Sequence, residues 1–421
     1  MKKTTSILTT AGLVLTMILL NSCQTKQPKP YSPEEARAIH DRVLTVDTHC
    51  DTPMRMTRGE WNIAERHEPG QRESGLIDLP RMKEGGLDAL FFAVFIGQGP
   101  RTPEATKAAT DRALLTLEAL HKMCVDNPEV VGLAFTPDDA YRLEKEGKRA
   151  AFIGMENGYP IGTDLSLVKQ FYDQGVRYIT LCHGGDSDIC DSATERQNPE
   201  DNGLTEFGKK VVSECNRLGI MVDLSHTSDK TFYDVMEYSQ APVIASHSSV
   251  RSLCDHPRNL SDEMLKLLAE KNGVIQITLV SSFLRKEEPN PERDKAFEEL
   301  RAKYGSRREV RDEETMAKMR EEYTALMEKY PRQQATLEDL VDHIDYVVDL
   351  IGIDHVGIGT DFDGGGSVEG CSDVSQMYHI TEELLRRGYS EADIQKIWGG
   401  NIMRVFNQVI EVSRSLNTEE E

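Results

Sequence analysis

The sequence has no Cys-x-x-Cys pair, no internal repeat, no glycine-rich loop behind its first strand-like run, and little positive charge. Each absence removes a class. Eight cysteines without metal-ligand spacing speak against a structural cysteine–zinc site. Lys and Arg number 49 against 71 Asp and Glu, so the net charge is −22 and the surface repels phosphate backbones; nucleic acid is excluded as a partner. The apolar run Ile7 to Leu20 is about 14 residues, short of the roughly 20 that a transmembrane helix needs.

That run follows Lys2 and Lys3 and precedes Leu20-Asn21-Ser22-Cys23, which resembles the lipobox of bacterial lipoproteins. Residues 1–23 then read as a cleaved leader and Cys23 as the lipidated first residue of the mature chain. Residues 24–33, rich in Lys, Pro and Gln, form a tether. The expectation is an exported lipoprotein, membrane-anchored on the periplasmic or outer-surface side of a bacterium. The seven remaining cysteines (Cys50, Cys124, Cys182, Cys190, Cys215, Cys254, Cys371) cannot all pair within one chain, and most sit in apolar contexts where free Cys acts as a small hydrophobe.

From Ser32-Pro33 onward, a first helix over Tyr31–Leu44 leads into eight near-continuous apolar runs: Leu44–Asp51, Asp88–Gly97, Arg149–Asn157, Val176–His183, Gly219–His226, Pro242–Ser249, Gly273–Val280 and His355–Phe362. Such runs suit parallel strands covered on both faces. Helical stretches alternate with them, clearest at Pro103–Cys124, Asp164–Gln174, Thr205–Leu218, Asp229–Glu237 and Asp262–Lys271. Eightfold strand–helix alternation predicts a (β/α)8 TIM barrel of the metal-dependent hydrolase type, one domain over 34–412 with a polar tail at 413–421. An open doubly wound sheet would need a phosphate loop after the first strand, and His49-Cys50-Asp51-Thr52-Pro53 is not one. Between the seventh and eighth strands, Arg285–Gln334 reads as a charged helical insertion with a solvated face, leading into a helix over Leu337–Leu350.

Reactive groups in such barrels gather at the carboxyl ends of the strands. Four of the eleven histidines end strands there: His49 on the first, His183 on the fourth, His226 on the fifth and His247 on the sixth. His49 and Asp51, two apart on a strand, share a face and form a chelating edge for Zn²⁺, while Cys50 turns away. Glu156 closes the third apolar strand and needs a cation, a donor network or water to be buried there. Two metals fit this set, one on His49 and Asp51, one on His226 and His247, with Glu156 bridging. Two Zn²⁺ bring four positive charges and the carboxylates Asp51 and Glu156 remove two, which suits a hydroxide and a polarised substrate oxygen.

These residues resemble the membrane (renal-type) dipeptidases, zinc metallopeptidases of the amidohydrolase-like barrel group. The likeness runs from about Ala38 to Gln408 and rests on Asp47-Thr48-His49-Cys50-Asp51, Gly154-Met155-Glu156, Arg177 to His183, Asp223-Leu224-Ser225-His226, Ser246-His247-Ser248-Ser249, His256-Pro257-Arg258-Asn259, Gly359 to Gly364 and Gly399-Gly400-Asn401. The resemblance implies hydrolysis of dipeptides at a site with two Zn²⁺ per subunit, in which His49, Asp51, Glu156, His226 and His247 are ligands. It implies that His183 binds the substrate and its tetrahedral intermediate, that Arg258 receives the substrate carboxylate, and that Asp361 handles the proton passing to the leaving amine. It also implies a homodimer. Cys50 stands where many members carry Asn, and Asn157 where animal members have Gly. Two other readings stay open: a hydrolase of the same fold acting on a lactone, an acylated amino acid or a phosphoester, and a lipoprotein that binds peptide or metal without turnover.

Overall fold

A computed structural model of the chain describes residues 31–419, except 60, 72, 197, 198, 306–311 and 332. The leader with Cys23 and most of the tether lie outside the described residues. Nine parallel strands form in chain order: β1 (Val46–Cys50), β2 (Ala89–Phe95), β3 (Val131–Leu133), β4 (Arg149–Glu156), β5 (Val176–Thr180), β6 (Met221–Asp223), β7 (Ile244–Ser248), β8 (Val274–Ile277) and β9 (Val356–Ile358). Eight of them pair in the order β1-β2-β4-β5-β6-β7-β8-β9, the TIM-barrel arrangement that the alternation predicts. The ring closes between β9 and β1 at its mouth. There Cys50 bridges Phe362, Asp51 N donates to Phe362 O (2.8 Å) and Asp361 N donates to His49 O (3.0 Å). β3 is the unforeseen strand. It fills the free edge of β4 at Arg149–Ala151, because β5 joins β4 only from Ile153 onward.

Strand side chains alternate between two cores, as their period of two requires. Ala89 and Phe91 of β2 face the barrel interior with Phe152, Tyr178, Met221, Ile244 and Val274, while Leu90, Phe92 and Val94 face the helices. The floor of the interior is sealed by Met403 and Phe406 of the last helix, Asn401–Glu419, with the Phe406 ring 6.0 Å from that of Phe152. Each such fully buried side chain contributes about 1.5–3 kcal/mol. That helix corrects one expectation: residues 413–419, expected as a polar tail, continue it, and Ser413 Oγ donates to Arg217 O at 2.6 Å.

Helix starts follow the local chemistry. Pro33 and Pro103 open helices behind Ser32 and Thr102, whose side-chain oxygens accept from the otherwise free Glu35 N and Ala105 N of the first turn. The first helix spans Pro33–His40, shorter than expected, since Leu44 turns inward to join the barrel interior. The insertion holds two helices, Pro291–Tyr304 and Glu313–Lys329, joined by Lys303–Glu322 (2.6 Å) and by the Phe297 and Tyr323 rings (5.4 Å). Among its described helical residues only Arg293 is buried, as a solvated face requires. No described helix is long and apolar enough to cross a membrane.

Candidate metal centre at the barrel mouth

Two β-bulges aim the site. On β1, Asp47 lies opposite Leu90 but Cys50 opposite Phe92; on β7, Ala245 lies opposite Ile275 but Ser248 opposite Ile277. Each bulged strand therefore carries one extra residue. Val46 and Ile244 point into the barrel interior, so strict alternation would send His49 and His247, three residues on, out toward the helices. The extra residue reverses the parity and turns both imidazoles to the mouth. His49 and Asp51 share a face as their spacing predicts, but it is the bulge that makes that face the inner one.

His183 and His226 do not end strands. They lie three residues beyond β5 and β6, in the turns that follow. His226 has φ +73°, and Asn157, Asp361 and Asp363 also adopt positive φ, so four of the six such non-glycine residues described line this mouth. Backbone strain of this kind costs about 1–3 kcal/mol per residue and is held by surrounding structure. Here that structure is visible: Ala193 N donates to His226 O (2.8 Å), and Gly364, Gly365 and Gly366 N all donate to Asp361 O. Asp363 accepts from Thr52 Oγ1, Arg55 Nε and Leu76 N.

The donor atoms converge on Glu156. Its Oε2 is 3.4 Å from His49 Nε2, while Oε1 is 3.0 Å from His226 Nε2, 3.6 Å from His247 Nε2 and 3.7 Å from His183 Nε2. His226 Nε2 and His247 Nε2 are 2.9 Å apart, and His49 Nε2 is 3.9 Å from Asp361 Oδ1. Donor atoms lying mutually within 4.8 Å form three clusters: His49, Glu156 and His247; Glu156, His183 and His226; His49, Asp51 and Asp361. The structure thus brings together all five expected ligands and draws His183 and Asp361 to the same place.

The electrostatics call for cations. Burial pushes Asp51 and Asp361 well above the carboxylate range and Glu156 up to about 8, and it holds His226 and His247 well below the usual imidazole value. His49 Nε2, Asp51 Oδ1 and Glu156 Oε2 are buried without a hydrogen-bond partner. A proton on His226 Nε2 would satisfy the close imidazole pair but not these three atoms. Divalent cations among them would satisfy all, and mixed imidazole and carboxylate donors suit Zn²⁺.

Several residues that sequence reasoning left without a role support this set. Tyr178 Oη meets His49 Nδ1 at 2.7 Å, and Ser246 Oγ meets His247 Nδ1 at 2.9 Å. Buried Asp47 accepts from His49 N, Thr360 N and Thr360 Oγ1, so it ties β1 to the loop after β9; burial raises its carboxyl to about 6. The signal was present, since Asp47 and Asp223 open the Asp-Thr-His and Asp-Leu-Ser-His motifs. Arg258 is 4% exposed, its guanidinium lies 5.3 Å over the Phe283 ring, and its Nε has no partner. It donates only weakly, to His247 O (3.3 Å) and Ser248 Oγ (3.5 Å), and desolvation lowers its pKa against the pull of Asp361 and Glu156. The seven described cysteines are free.

Residues 33–420 match the family model for membrane dipeptidases. The chain is 31% identical over 376 residues to dipeptidase tcpJ of Claviceps purpurea, covering 88% of this chain and 78% of that one. It is 31% identical to dipeptidase 3 of Rattus norvegicus, covering 91% and 68%. Among solved structures, the probable dipeptidase PvdM from Pseudomonas aeruginosa superposes with a TM-score of 0.78 at 33% identity, covering 90% of this chain and 98% of that one. A metallopeptidase from Rhodobacter sphaeroides, liganded with a phosphinate mimic of the dipeptide L-Ala-D-Ala, gives 0.69 at 26% identity, covering 87% and 99%. With the family model spanning nearly all of the described barrel, the chain belongs to the membrane dipeptidase family.

Proposed function

We propose that this chain hydrolyses dipeptides at a site holding two Zn²⁺, one on His49 and Asp51, the other on His226 and His247, with Glu156 between them. One observation carries the reading: the two oxygens of a single buried carboxylate face different imidazole nitrogens, Oε2 toward His49 and Oε1 toward His226 and His247. Held there, such cations would supply Lewis acidity toward water and the substrate carbonyl. The protein supplies the rest. Arg258, a buried guanidinium with an unpaired Nε, receives the substrate carboxylate, where desolvation makes the pairing strong. His183, half-buried against the Phe95 ring at 4.7 Å with Nε2 3.7 Å from Glu156 Oε1, would stabilise the oxygen of the reacting carbonyl. Asp361, whose Oδ1 lies 3.9 Å from His49 Nε2 in the same donor cluster, is placed to pass a proton to the leaving amine.

A lactone or a simple neutral ester would leave Arg258 buried and unpaired, so a substrate that ends in a carboxylate, as a dipeptide does, is favoured over those. Chelator-treated protein should lose turnover of a dipeptide panel and recover it with Zn²⁺; unchanged turnover without metal would sink the proposal. We also read the leader as exporting the chain and Cys23 as its lipid anchor, with the enzyme working as a homodimer on the periplasmic or outer surface. Replacing Cys23 with Ser should then release the enzyme into the soluble fraction.

A further inference from the structure

The barrel ladder is thin between β6 and β7, where Asp223 opposite Ile244 is the single paired position among the described residues. Asp223 is fully buried, and its carboxylate spans that seam. Oδ1 accepts from Ser225 N (3.1 Å) and Ser246 N (2.8 Å); Oδ2 accepts from Ser246 Oγ (2.6 Å) and Thr180 Oγ1. Ser246 Oγ also lies 2.9 Å from His247 Nδ1. A hydroxyl has one proton, and Ser246 gives it to Asp223. The Ser246 oxygen is left to accept, so His247 Nδ1 carries the ring proton and Nε2 keeps its lone pair, 3.6 Å from Glu156 Oε1.

We propose that Asp223 and Ser246 are positioning residues: a relay from carboxylate through hydroxyl sets the tautomer of His247 and so makes its Nε2 a ligand nitrogen. The relay rests on the metal reading above and reaches neither substrate nor cation itself. It singles out His247. His226 Nδ1 is buried without a partner, and His49 Nδ1 meets a phenol, Tyr178, rather than a chain ending on a carboxylate. Outer partners of this kind commonly alter metal affinity about 10–100-fold.

The polarity of the relay makes it testable. In Asp223→Asn, the amide oxygen stays with the two backbone N–H groups and the NH₂ faces Ser246. Ser246 then accepts from the amide and turns its own proton to His247 Nδ1, which moves the ring proton onto Nε2 and blocks it. Ser246→Ala removes the partner of Nδ1 but imposes no tautomer. The damage should therefore be graded, with Zn²⁺ affinity about 10-fold weaker in Ser246→Ala and about 100-fold weaker in Asp223→Asn.

The experiment strips the full chain of metal and titrates it with Zn²⁺ against a competing chelator, with circular dichroism and melting curves as folding controls. A wild type that binds no Zn²⁺ sinks the metal reading and the relay with it. Wild-type binding with equal affinity in both variants, or a weaker Ser246→Ala than Asp223→Asn, overturns the relay alone. Should Asp223→Asn not fold, Ser246→Ala and Ser246→Thr decide. The alanine variant must be about 10-fold weaker and the threonine, which restores the hydroxyl, must recover most of the loss; an alanine variant equal to wild type overturns the proposal.

Discussion

Glu156 Oε1 lies 3.0 Å from His226 Nε2, inside a barrel mouth where burial raises the Glu156 carboxyl to about 8. Its other oxygen, Oε2, is buried without a hydrogen-bond partner, as are His49 Nε2 and Asp51 Oδ1, and a cation among them would compensate all three. Glu156→Gln keeps the size but replaces one acceptor oxygen with a donor. Bound Zn²⁺ should fall from two equivalents to one or fewer by elemental analysis, and kcat/KM should drop on the order of 10²–10³-fold. Full metal content in the variant would contradict a bridging role.

Removing the metal should make stability depend on pH in a direction that can be worked out. For Asp51, Glu156 and Asp361, the folded pKa is raised, so the folded chain keeps protons that the unfolded chain releases. Their penalty is absent below the ordinary carboxylate range and grows as pH rises toward about 8, the Glu156 value. For His226 and His247 the folded pKa is lowered, so their penalty appears as pH falls below the ordinary imidazole value. Bound cations offset the carboxylate penalty. The gap in melting temperature between Zn²⁺-loaded and metal-free protein should therefore widen from pH 5 to pH 8, and a constant or narrowing gap across scanning fluorimetry would argue against it.

How much of this was legible in the sequence depends on what each feature writes into the residue order. Parallel strands buried on both faces leave continuous apolar runs, so the eight barrel strands could be counted from Leu44 to Phe362. β3, only Val131-Gly132-Leu133, is too short to leave a period. The bulges in β1 and β7 are invisible for a similar reason: spacing shows that His49 and Asp51 share a face, but not that Val46 and His49 share one as well. The last helix was hidden by its polar composition, although Val405, Val409, Val412 and Leu416 recur at helical spacing and are buried or half-buried. Asp223 and Ser246 stood in the motifs, yet Asp and Ser near a strand end serve as caps so often that their type alone names no partner.

Arg258 offers a test of substrate class that does not depend on the metals. It is buried, its hydrogen bonds go to the neutral atoms His247 O and Ser248 Oγ, and its charge is compensated by Asp361 and Glu156 at a distance. Breaking a buried charge pair costs about 2–5 kcal/mol, or roughly 30- to several-thousand-fold in kcat/KM. Arg258→Ala should show a loss of that order on dipeptides with a free C-terminal carboxylate and little change on the corresponding methyl esters. Equal losses on both would place Arg258 in the scaffold rather than against substrate.

The loop after β9 provides a steric test, because two adjacent glycines there face very different surroundings. A Cβ on Gly364 would stand 2.1 Å from Asp361 Oδ1 and 2.4 Å from Asp51 Oδ2, whereas one on Gly365 would meet nothing nearer than 3.7 Å. Neither glycine adopts positive φ, so alanine is tolerated by the backbone at both and only the contact differs. Gly364→Ala must push the two carboxylates apart. Since Asp51 and Asp361 share a donor cluster with His49, the variant should bind Zn²⁺ more weakly and lose activity by at least about 10²-fold, as expected when reacting groups shift by about 1 Å. It should melt within a few degrees of wild type when both are metal-free, because the nearest atoms are carboxylate oxygens at the mouth rather than backbone or core. Gly365→Ala should keep both metal content and kcat. A Gly364→Ala enzyme as active as Gly365→Ala would mean that Asp51 and Asp361 do not work from the positions they hold here.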